Sequence, residues 1–414
     1  MAKSVLPEKL NICLVGSRFP ILSRATDLGF LWPIARSLAK KGHKVTVLSS
    51  NSPTGKHEVN RDGVRAFYLY EGQSPQVKKQ KFSDLVLKKF VQLHRETPFH
   101  IVHSLDASAY KIGRHKSNLD VCIAYDVEAT QMSQLFSIMG MGQETFSDLL
   151  TTWIALLYKF ISTYFGSDRS LLNTADGVFV TSPQQRVILE RYYLYPDFHI
   201  YTVPYGIELS NLKERSENVN VRMKLGLSES SNVVVTFSDF TEVRDLMYIL
   251  NAFEKVVIKK PNTQLIIVGN GPMWKEIEFQ MLNLALGNKV LMPGAASSEE
   301  ILNYIMASDV YIDLSAKSSG FAPTMLEAMA QKKVIIGSEI SPISYVVEDG
   351  KDGFLLRPAD KESLSQLIVE LFSGHIAVGD IGERAREKVL SLFDTEKMAD
   401  TALSAYFSIL KNRR

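Results

Sequence analysis

Residues 310–314 read VYIDL and residues 318–330 read SSGFAPTMLEAMA, which predicts a buried strand, a loop of small residues and a helix that begins at Pro323. Proline is favoured in the first helical turn because its missing N–H has no intrahelical partner there. The small residues before it let a ligand reach backbone N–H groups, and the helix dipole adds about half a positive charge. We therefore predict a phosphate cradle, with the Glu327 carboxylate one turn further on to bind a ribose diol. An ordinary solvated loop is the alternative.

The same order of strand, loop and helix recurs along the chain. Residues 10–16 and 44–50 are short apolar strands joined by an amphipathic helix over residues 30–41, the parallel βαβ unit in which both sheet faces are buried. The theme restarts after a polar stretch at residues 211–220, with a new first strand at residues 232–237. At about 150 residues per domain, 414 residues allow two to three domains. The restart of the α/β pattern favours two Rossmann-like, doubly wound domains that face each other across a cleft.

The domain boundary follows from the same pattern. We expect residues 1–205 to form the first domain and residues 206–394 the second. Residues 395–414 form a last helix that either caps the second domain or crosses back to the first, and the sequence alone leaves both open.

Composition narrows the class of protein. Hydrophobic residues make up 45% and charged residues 22%, and 47 Lys and Arg against 45 Asp and Glu leave a net charge of +2, so nothing indicates a nucleic-acid partner. Cys13 and Cys122 both lie in predicted buried strands, which excludes a disulfide framework and favours a cytoplasmic location. The polar residues 1–9 do not resemble a signal peptide, and residues 149–165 carry too many polar groups for a membrane-spanning helix.

Searches for common catalytic motifs are negative. The chain has no P-loop spacing, and no G-x-G-x-x-G follows its first strand, which argues against an ATPase and a dinucleotide-dependent dehydrogenase. It also has no H-E-x-x-H, no D-x-D pair, and too few cysteines for a zinc cage. We expect neither a metal nor a cofactor.

Several further elements match one known family. They are residues 307–310 (ASDV), 320–330 (GFAPTMLEAMA), 203–208 (VPYGIE), 348–358 (EDGKDGFLLRP) and 268–272 (VGNGP), with 38–47 (LAKKGHKVTV) and 101–104 (IVHS) in the first half. Together they resemble the motifs of the retaining glycosyltransferases of family 4, which adopt the GT-B fold. The resemblance extends over nearly the whole chain.

That resemblance implies how the substrates are divided. It implies that residues 206–394 bind a nucleotide diphosphate-sugar, UDP- or GDP-linked, and that residues 1–205 bind the acceptor, a glycan, a lipid-linked molecule or a small molecule. The implied donor-binding residues are Ser238, Gly269, Met292, Gly294, Ser319, Gly320, Phe321, Ala322 and Glu327. No metal is required in such enzymes, because fixed positive groups neutralise the leaving diphosphate.

The sequence departs from the family at charged positions. Ser319 replaces the family's first glutamate, and Asp239 stands at its arginine position, whereas Arg244 keeps its lysine position as a cation. A carboxylate in place of arginine, 4 Å from a diphosphate, changes the interaction by several kcal/mol at an effective dielectric of about 20. The catalytic candidates are Asp126, Arg244 and Ser319.

The acceptor-side candidates come from two regions of the first domain. Arg18 and Arg24 lie in the loop after the first strand, where the family brings acceptor and diphosphate together; a solvated loop is the alternative. His103 ends a strand and is either a site residue or a core histidine. Tyr125 stands at the family's histidine position, where it either lines the site or only packs, and Asp126 follows it at a strand's carboxyl end.

Residues 132–165 are rich in Met, Leu, Trp and Phe. They form either a helical lid on the first domain or an apolar face that receives a lipid-linked acceptor or contacts the inner face of a bilayer. Three functions remain open: an active metal-independent retaining glycosyltransferase, a catalytically impaired GT-B protein that binds nucleotide or partners an active transferase, and a sugar-nucleotide epimerase, against which the family elements argue.

Overall fold

Short apolar runs form the strands of two separate sheets in the computed structural model of the protein. The structure describes residues 7–17, 31–50, 56–70, 79–127, 130, 132, 153–154, 157–158, 167–209, 221–315, 323–340, 343–357 and 359–412. These residues form two compact units. Trp153 and Ile154 group with the second unit, and the chain passes to that unit again after Ile207 and returns to the first after Phe393.

The first unit is built on an eight-stranded sheet. Its strands are β1 (Asn11–Gly16), β2 (Lys44–Ser49), β3 (Glu58–Arg61), β4 (Val64–Tyr68), β5 (Ile101–Ser104), β6 (Cys122–Asp126), β7 (Gly177–Val180) and β8 (Ile200–Thr202). They lie in the order β3-β4-β2-β1-β5-β6-β7-β8, and all neighbours are parallel except β3 and β4. The central strands are buried on both faces, as β1 shows with six buried residues in a row.

The second unit is built on a six-stranded, fully parallel sheet. Its strands are β9 (Asn232–Ser238), β10 (Thr263–Gly269), β11 (Val290–Gly294), β12 (Val310–Asp313), β13 (Val334–Ser338) and β14 (Phe354–Leu356). The order β11-β10-β9-β12-β13-β14 places the first strand of the unit in the middle, which is the Rossmann arrangement.

Helices connect the strands of both sheets. In the first unit these are α1 (Leu31–Lys40), α2 (Lys79–Glu96), α3 (Tyr110–Arg114), α4 (Lys116–Leu119), α5 (Ser167–Leu172) and α6 (Pro183–Tyr193), with 3₁₀ turns at Ala107–Ala109 and Asp197–His199. In the second they are α7 (Val221–Lys224), α8 (Arg244–Lys259), α9 (Trp274–Asn283), α10 (Ser298–Ala307), α11 (Pro323–Ala330), α12 (Ile343–Val346), α13 (Lys361–Leu371) and α14 (Val378–Leu392). The last helix is α15 (Thr395–Asn412). None of the helices described is both long and apolar enough to cross a membrane.

Each sheet is covered by helices with one apolar side. In α8, Leu246, Ile249, Leu250 and Phe253 recur at helical spacing and are buried in the core of the second unit. In α2, Phe82, Val86 and Phe90 belong in the same way to a core cluster of the first unit. These cores fix the sheets, and therefore the loops at their edges.

The aspartate of the ASDV element has a structural role. Asp309 accepts a hydrogen bond from Arg222 Nη2 at 2.7 Å and one from the Val233 backbone N–H at 2.8 Å. Arg222 also donates to the carbonyl oxygens of Ala307 and Ser231. This aspartate therefore joins α7 to the start of β9, at the sheet edge opposite the one where ligands bind in such folds.

The DGKDG element forms the turn before β14. The Asp349 carboxylate accepts from the Leu355 backbone N–H at 2.8 Å, and Gly350 has a φ of 70°, which favours glycine. Asp352 accepts from the Glu348 N–H at 2.8 Å and pairs with Lys388 at 2.6 Å. The element therefore shapes a turn and fastens it to α14.

The last helix, α15, packs on the first unit. It buries Met398, Leu403 and Ile409 there, and the Tyr201 hydroxyl donates to Ser408 Oγ at 3.1 Å. The Lys41 ammonium lies 2.8 Å from an Asp400 carboxylate oxygen, and the side-chain hydrogen bond to Asp400 raises the pKa of Lys41. The first unit is thus formed from two distant parts of the sequence.

The two chain crossings lie side by side in the first unit. Ile207 pairs with Asp394, and the Thr395 N–H donates to the Ile207 carbonyl oxygen at 3.2 Å. A Cβ on Gly206 would lie 2.6 Å from the Asp394 carbonyl carbon and 2.6 Å from the Thr395 nitrogen. Only a residue without a side chain fits at position 206.

We therefore expect Gly206→Ala to destabilise the protein by about 1–3 kcal/mol, because the new methyl group meets backbone that must shift. The measurement is the thermal unfolding midpoint. Gly379→Ala is the control, since Gly379 lies in α14 with nothing within 4 Å of its Cβ position. Equal midpoints for the two variants would contradict the packing argument.

Candidate active site

Strand order places the candidate site of the second unit at one edge of its sheet. The order reverses between β9 and β12, and open parallel sheets bind ligands at the carboxyl ends of the strands at such a switch point. Ser238 ends β9 and pairs with Gly269 at the end of β10, and Gly294 at the end of β11 pairs with Val268. Three of the predicted donor-binding residues therefore meet at this edge, with Met292 half-buried on β11.

Two glycines let the loops after β9 and β10 touch. A Cβ on Gly269, whose φ is 150°, would lie 1.7 Å from the Ser238 carbonyl oxygen, and one on Gly271 would lie 2.1 Å from that of Asp239. The Met273 N–H also donates to the Phe240 carbonyl oxygen at 3.1 Å. The G-x-G element thus packs two backbone segments against each other and leaves no side chain between them.

Asp239 shapes the loop after β9. Its Oδ1 accepts from the Thr241 backbone N–H at 3.1 Å and from the Thr241 hydroxyl at 2.7 Å, an Asx turn. The next residue, Phe240, is fully buried and has a φ of 49°. Arg244 begins α8 four residues later with an exposed side chain. Asp239, at the family's arginine position, therefore stabilises its own loop through this turn.

The loop after β12 is fastened before it reaches the predicted cradle. The Asp313 carboxylate accepts from the Ser315 N–H at 3.0 Å, and Ser338 Oγ donates to the Ser315 carbonyl oxygen at 2.7 Å. Burial raises the pKa of Tyr311 well above its usual value, and its hydroxyl lies 2.8 Å from Thr324 Oγ1 in the first turn of α11. Strand and helix are thus tied on both sides of the loop.

Glu327 lies within α11, the helix that begins at Pro323 as the sequence predicts. Its exposed fraction is 1%, in a helix whose residues from Thr324 onward are all buried. The cradle residues Ser319, Gly320, Phe321 and Ala322, and the loop cations Arg18 and Arg24, lie outside the described residues.

The first unit brings His103 and Asp126 together. The strand order of this sheet reverses between β1 and β5, and His103 lies on β5 beside that point. His103 is paired with Ala124 on β6, so Asp126, two residues further, points to the same face of the sheet. His103 Nε2 lies 2.9 Å from Asp126 Oδ1, and both side chains are largely buried.

A small pocket opens beside this pair. It is lined by Ile34, His103, Asp126, Val127, Phe179, Val180, Thr181, Val203, Tyr205 and Met398. The lining belongs entirely to the first unit: Ile34 comes from α1, Met398 from α15, and the other residues from the carboxyl ends of β5 to β8. Among the described residues, the protein's hydrogen bonds to the Asp126 carboxylate involve Oδ1.

Tyr125 requires a correction. It precedes Asp126 by one residue and therefore points to the opposite face of the sheet. There it is fully buried in the core with α2 and α3, and its hydroxyl lies 3.2 Å from Thr174 Oγ1. Burial raises its pKa far above the usual value. The structure thus removes Tyr125 from the predicted acceptor loop and makes it a core residue.

Solved structures share this architecture. Sucrose-phosphate synthase from Thermosynechococcus elongatus is 19% identical with a TM-score of 0.77, over 98% of this chain and 100% of that one. The Anabaena protein HepE, solved in complex with UDP and glucose, is 16% identical with a TM-score of 0.71, over 95% and 98% of the two chains. Two parallel Rossmann-like sheets and these neighbours define a GT-B fold.

Family comparisons then place the chain. The description "Glycosyl transferase 4-like domain" matches residues 30–206, and "Glycosyl transferases group 1" matches residues 218–388. The protein belongs to the group 1 glycosyltransferases of the GT-B fold, which confirms the family and the fold class predicted from its motifs.

Curated relatives agree with this placement. N-acetyl-alpha-D-glucosaminyl L-malate synthase of Bacillus anthracis is 28% identical over 60% of this chain and 66% of its own length. Alpha-monoglucosyldiacylglycerol synthase of Streptococcus pneumoniae is 24% identical over 58% of this chain and 54% of its own. These alignments therefore span between about half and two thirds of the relatives' lengths.

The Asx turn at Asp239 leads to a test of its charge. We expect Asp239→Asn to bind UDP about fivefold more tightly than the wild type. The amide keeps an oxygen for Thr241, and the substitution removes a negative charge near the position where the sequence predicts a diphosphate. Isothermal titration with UDP measures the change. Glu242→Gln is the control, since Glu242 is an exposed carboxylate close by in the same loop. Unchanged affinity in Asp239→Asn would place the diphosphate elsewhere.

Proposed function

We propose that the protein transfers a hexosyl group from a UDP-sugar to a hydroxyl group of a glycan or lipid-linked acceptor, with retention of the anomeric configuration and without a metal. The observation that carries this proposal is the edge of the second sheet, where the strands end at Ser238, Gly269 and Gly294, together with the start of α11 after β12. Uridine as the base is supported by the neighbour solved with UDP.

On the donor side, the diphosphate would lie over the carboxyl ends of β9 and β12. The N–H groups at the start of α11 and the dipole of that helix favour an anion there. Arg244, at the start of α8, supplies a cation on the other side of the switch point. Departure of the diphosphate builds negative charge, and these fixed groups would stabilise it. Glu327 would accept hydrogen bonds from the ribose hydroxyls, and Ser319 stands where the family has a glutamate.

On the acceptor side, the pocket of the first unit would hold the attacking hydroxyl. Asp126 borders that pocket, and its carboxylate receives a hydrogen bond from His103 through one oxygen. A hydroxyl that reaches the other oxygen would be oriented by it and would give its proton up more readily as the new bond forms. Arg18 and Arg24 are proposed to face the diphosphate from this unit.

The decisive test of the donor site is Glu327→Gln. We expect it to weaken UDP binding by about tenfold, since a charge-assisted hydrogen bond to the ribose is replaced by a neutral one. Titration of UDP, GDP and ADP also identifies the base. Glu278→Gln, an exposed position on α9, serves as the control.

The outcome also separates the two remaining readings of the protein. UDP binding with sugar transfer from a donor in a panel of sugar nucleotides supports the active enzyme. UDP binding without turnover favours the catalytically impaired protein, and activity gained in Ser319→Glu with Asp239→Arg would establish it. A wild type that binds none of the three nucleotides refutes the donor site.

We further propose that residues 132–165 attach the protein to a lipid surface. Besides the buried Met132, the structure describes four residues of this segment: Trp153, Ile154, Leu157 and Tyr158. They recur at helical spacing and expose between 62% and 74% of their surface. The name of the diacylglycerol-glycosylating relative supports a lipid-linked acceptor.

We expect Trp153→Ser with Leu157→Ser to reduce co-sedimentation with anionic phospholipid vesicles at least fivefold, because each substitution removes apolar side-chain area that would be buried in the lipid. The control pair, Phe279→Ser with Leu282→Ser, removes two equally exposed apolar residues from α9. Equal loss in both pairs, or no vesicle binding by the wild type, would contradict this attachment.

A further inference from the structure

The C-terminal helix reaches the acceptor-side pocket through one hydroxyl group. Tyr406 of α15 lies with its OH 2.7 Å from His103 Nδ1, while the other ring nitrogen of His103 lies 2.9 Å from Asp126 Oδ1. We propose that Tyr406 is a positioning residue: its hydroxyl donates to His103 Nδ1 and so keeps the imidazole proton on Nε2, which donates to Asp126. The kinetic part of this inference rests on the proposed function; the assignment of the proton does not.

Packing fixes the tyrosine in this position. Tyr406 is fully buried, and its ring stacks on Phe179 with centroids 5.5 Å apart. Phe179 also packs against the His103 ring, 4.7 Å between centroids. The three rings hold each other in place, so the hydroxyl has one orientation relative to the imidazole. The ring alone accounts for the packing, and the hydroxyl adds the hydrogen bond.

The need of each buried donor for an acceptor decides which atom donates in the two hydrogen bonds that join Tyr406, His103 and Asp126. Burial, with a further contribution from the Asp126 charge, raises the pKa of Tyr406 well above its ordinary value, so its oxygen keeps the proton. A buried hydroxyl needs an acceptor, and among the described residues the side-chain partner of the Tyr406 hydroxyl is His103 Nδ1. A neutral imidazole that accepts at Nδ1 carries its hydrogen on Nε2, which faces the carboxylate. The order Tyr406, His103, Asp126 therefore satisfies every donor along it.

This arrangement has a consequence for the pocket. The bond from His103 Nε2 orients Asp126 through Oδ1. Among the residues that the structure describes, no hydrogen bond reaches Oδ2, so Oδ2 is the oxygen that would receive an acceptor hydroxyl. The same helix contributes Met398 to the pocket lining. Tyr406, 303 positions from His103 in the sequence, would thus set the tautomer of His103 and, through it, the orientation of Asp126.

The test is Tyr406→Phe, which keeps the ring stack and removes the hydroxyl. Long-range ¹⁵N–¹H correlation spectra of the ¹⁵N-labelled full-length protein report which ring nitrogen of His103 carries hydrogen, with the signal assigned through His103→Gln. We expect the wild type to show a protonated Nε2 and an unprotonated Nδ1. In Tyr406→Phe we expect a mixture of tautomers, and kcat about tenfold lower with an unchanged KM for the donor, since Asp126 is less well oriented.

Tyr201→Phe is the matched control. It removes a hydroxyl that contacts Ser408 on the same helix, from a ring that also packs on Phe179. We expect its tautomer signals and kcat to equal those of the wild type. Thermal midpoints of both variants show whether either one fails to fold.

Two results would overturn the inference: a wild-type His103 that carries its hydrogen on Nδ1, or His103 signals and kcat that do not change in Tyr406→Phe. If the wild type transfers no sugar, the proposed function fails, while the spectra still decide the role of Tyr406. If transfer is normal and the spectra do not change, the inference fails and the proposed function stands.

Discussion

Parallel pairing of strands is the constraint on which both candidate sites depend. In a parallel sheet every strand ends at the same edge, so residues far apart in sequence meet there. In the second unit this brings Ser238 beside Gly269, and in the first it brings His103 beside Asp126. Close backbone packing completes the effect, because the glycines of the G-x-G element let two loops touch without a side chain between them. Parallel strand ends and close loop packing together bring the residues of both candidate sites into contact.

The sequence predicted the architecture well because the pattern of hydrophobic residues marks the buried strands and the amphipathic helices. Buried runs such as β1 and the amphipathic α8 are legible without a structure. The strand β3 was missed because its residues, Glu58–Arg61, are polar and mostly exposed at the sheet edge, where no alternation of burial marks a strand. The family motifs predicted membership correctly, but Asp309 and Asp349 prove to shape turns and strand ends, and they take no part in the candidate site.

Some site residues were predicted and others were not, because the sequence does not show which residues of neighbouring strands lie side by side. His103 and Asp126 were both candidates, yet spacing along the chain does not reveal that they share a hydrogen bond. For Tyr125 the sequence left lining the site and packing in the core both open, because successive strand residues alternate between the two faces and the phase was not fixed. Tyr406 had no signal, since a tyrosine in an amphipathic helix resembles any core residue until the packing partner is known. The Asx turn at Asp239 was the one missed feature with a local signature, an aspartate two residues before a threonine.

The division of the first unit between two ends of the chain bears on the order in which the protein is made. All strands of the second unit lie within one continuous segment, Glu208–Phe393, so its sheet can form while translation is still in progress. The first unit cannot complete its core by then, because α15 supplies Ile409 and Tyr406 to its interior. Although most of the first unit is synthesised first, its core is complete only after α15 has left the ribosome. Until then, the apolar surface that α15 covers stays exposed to solvent.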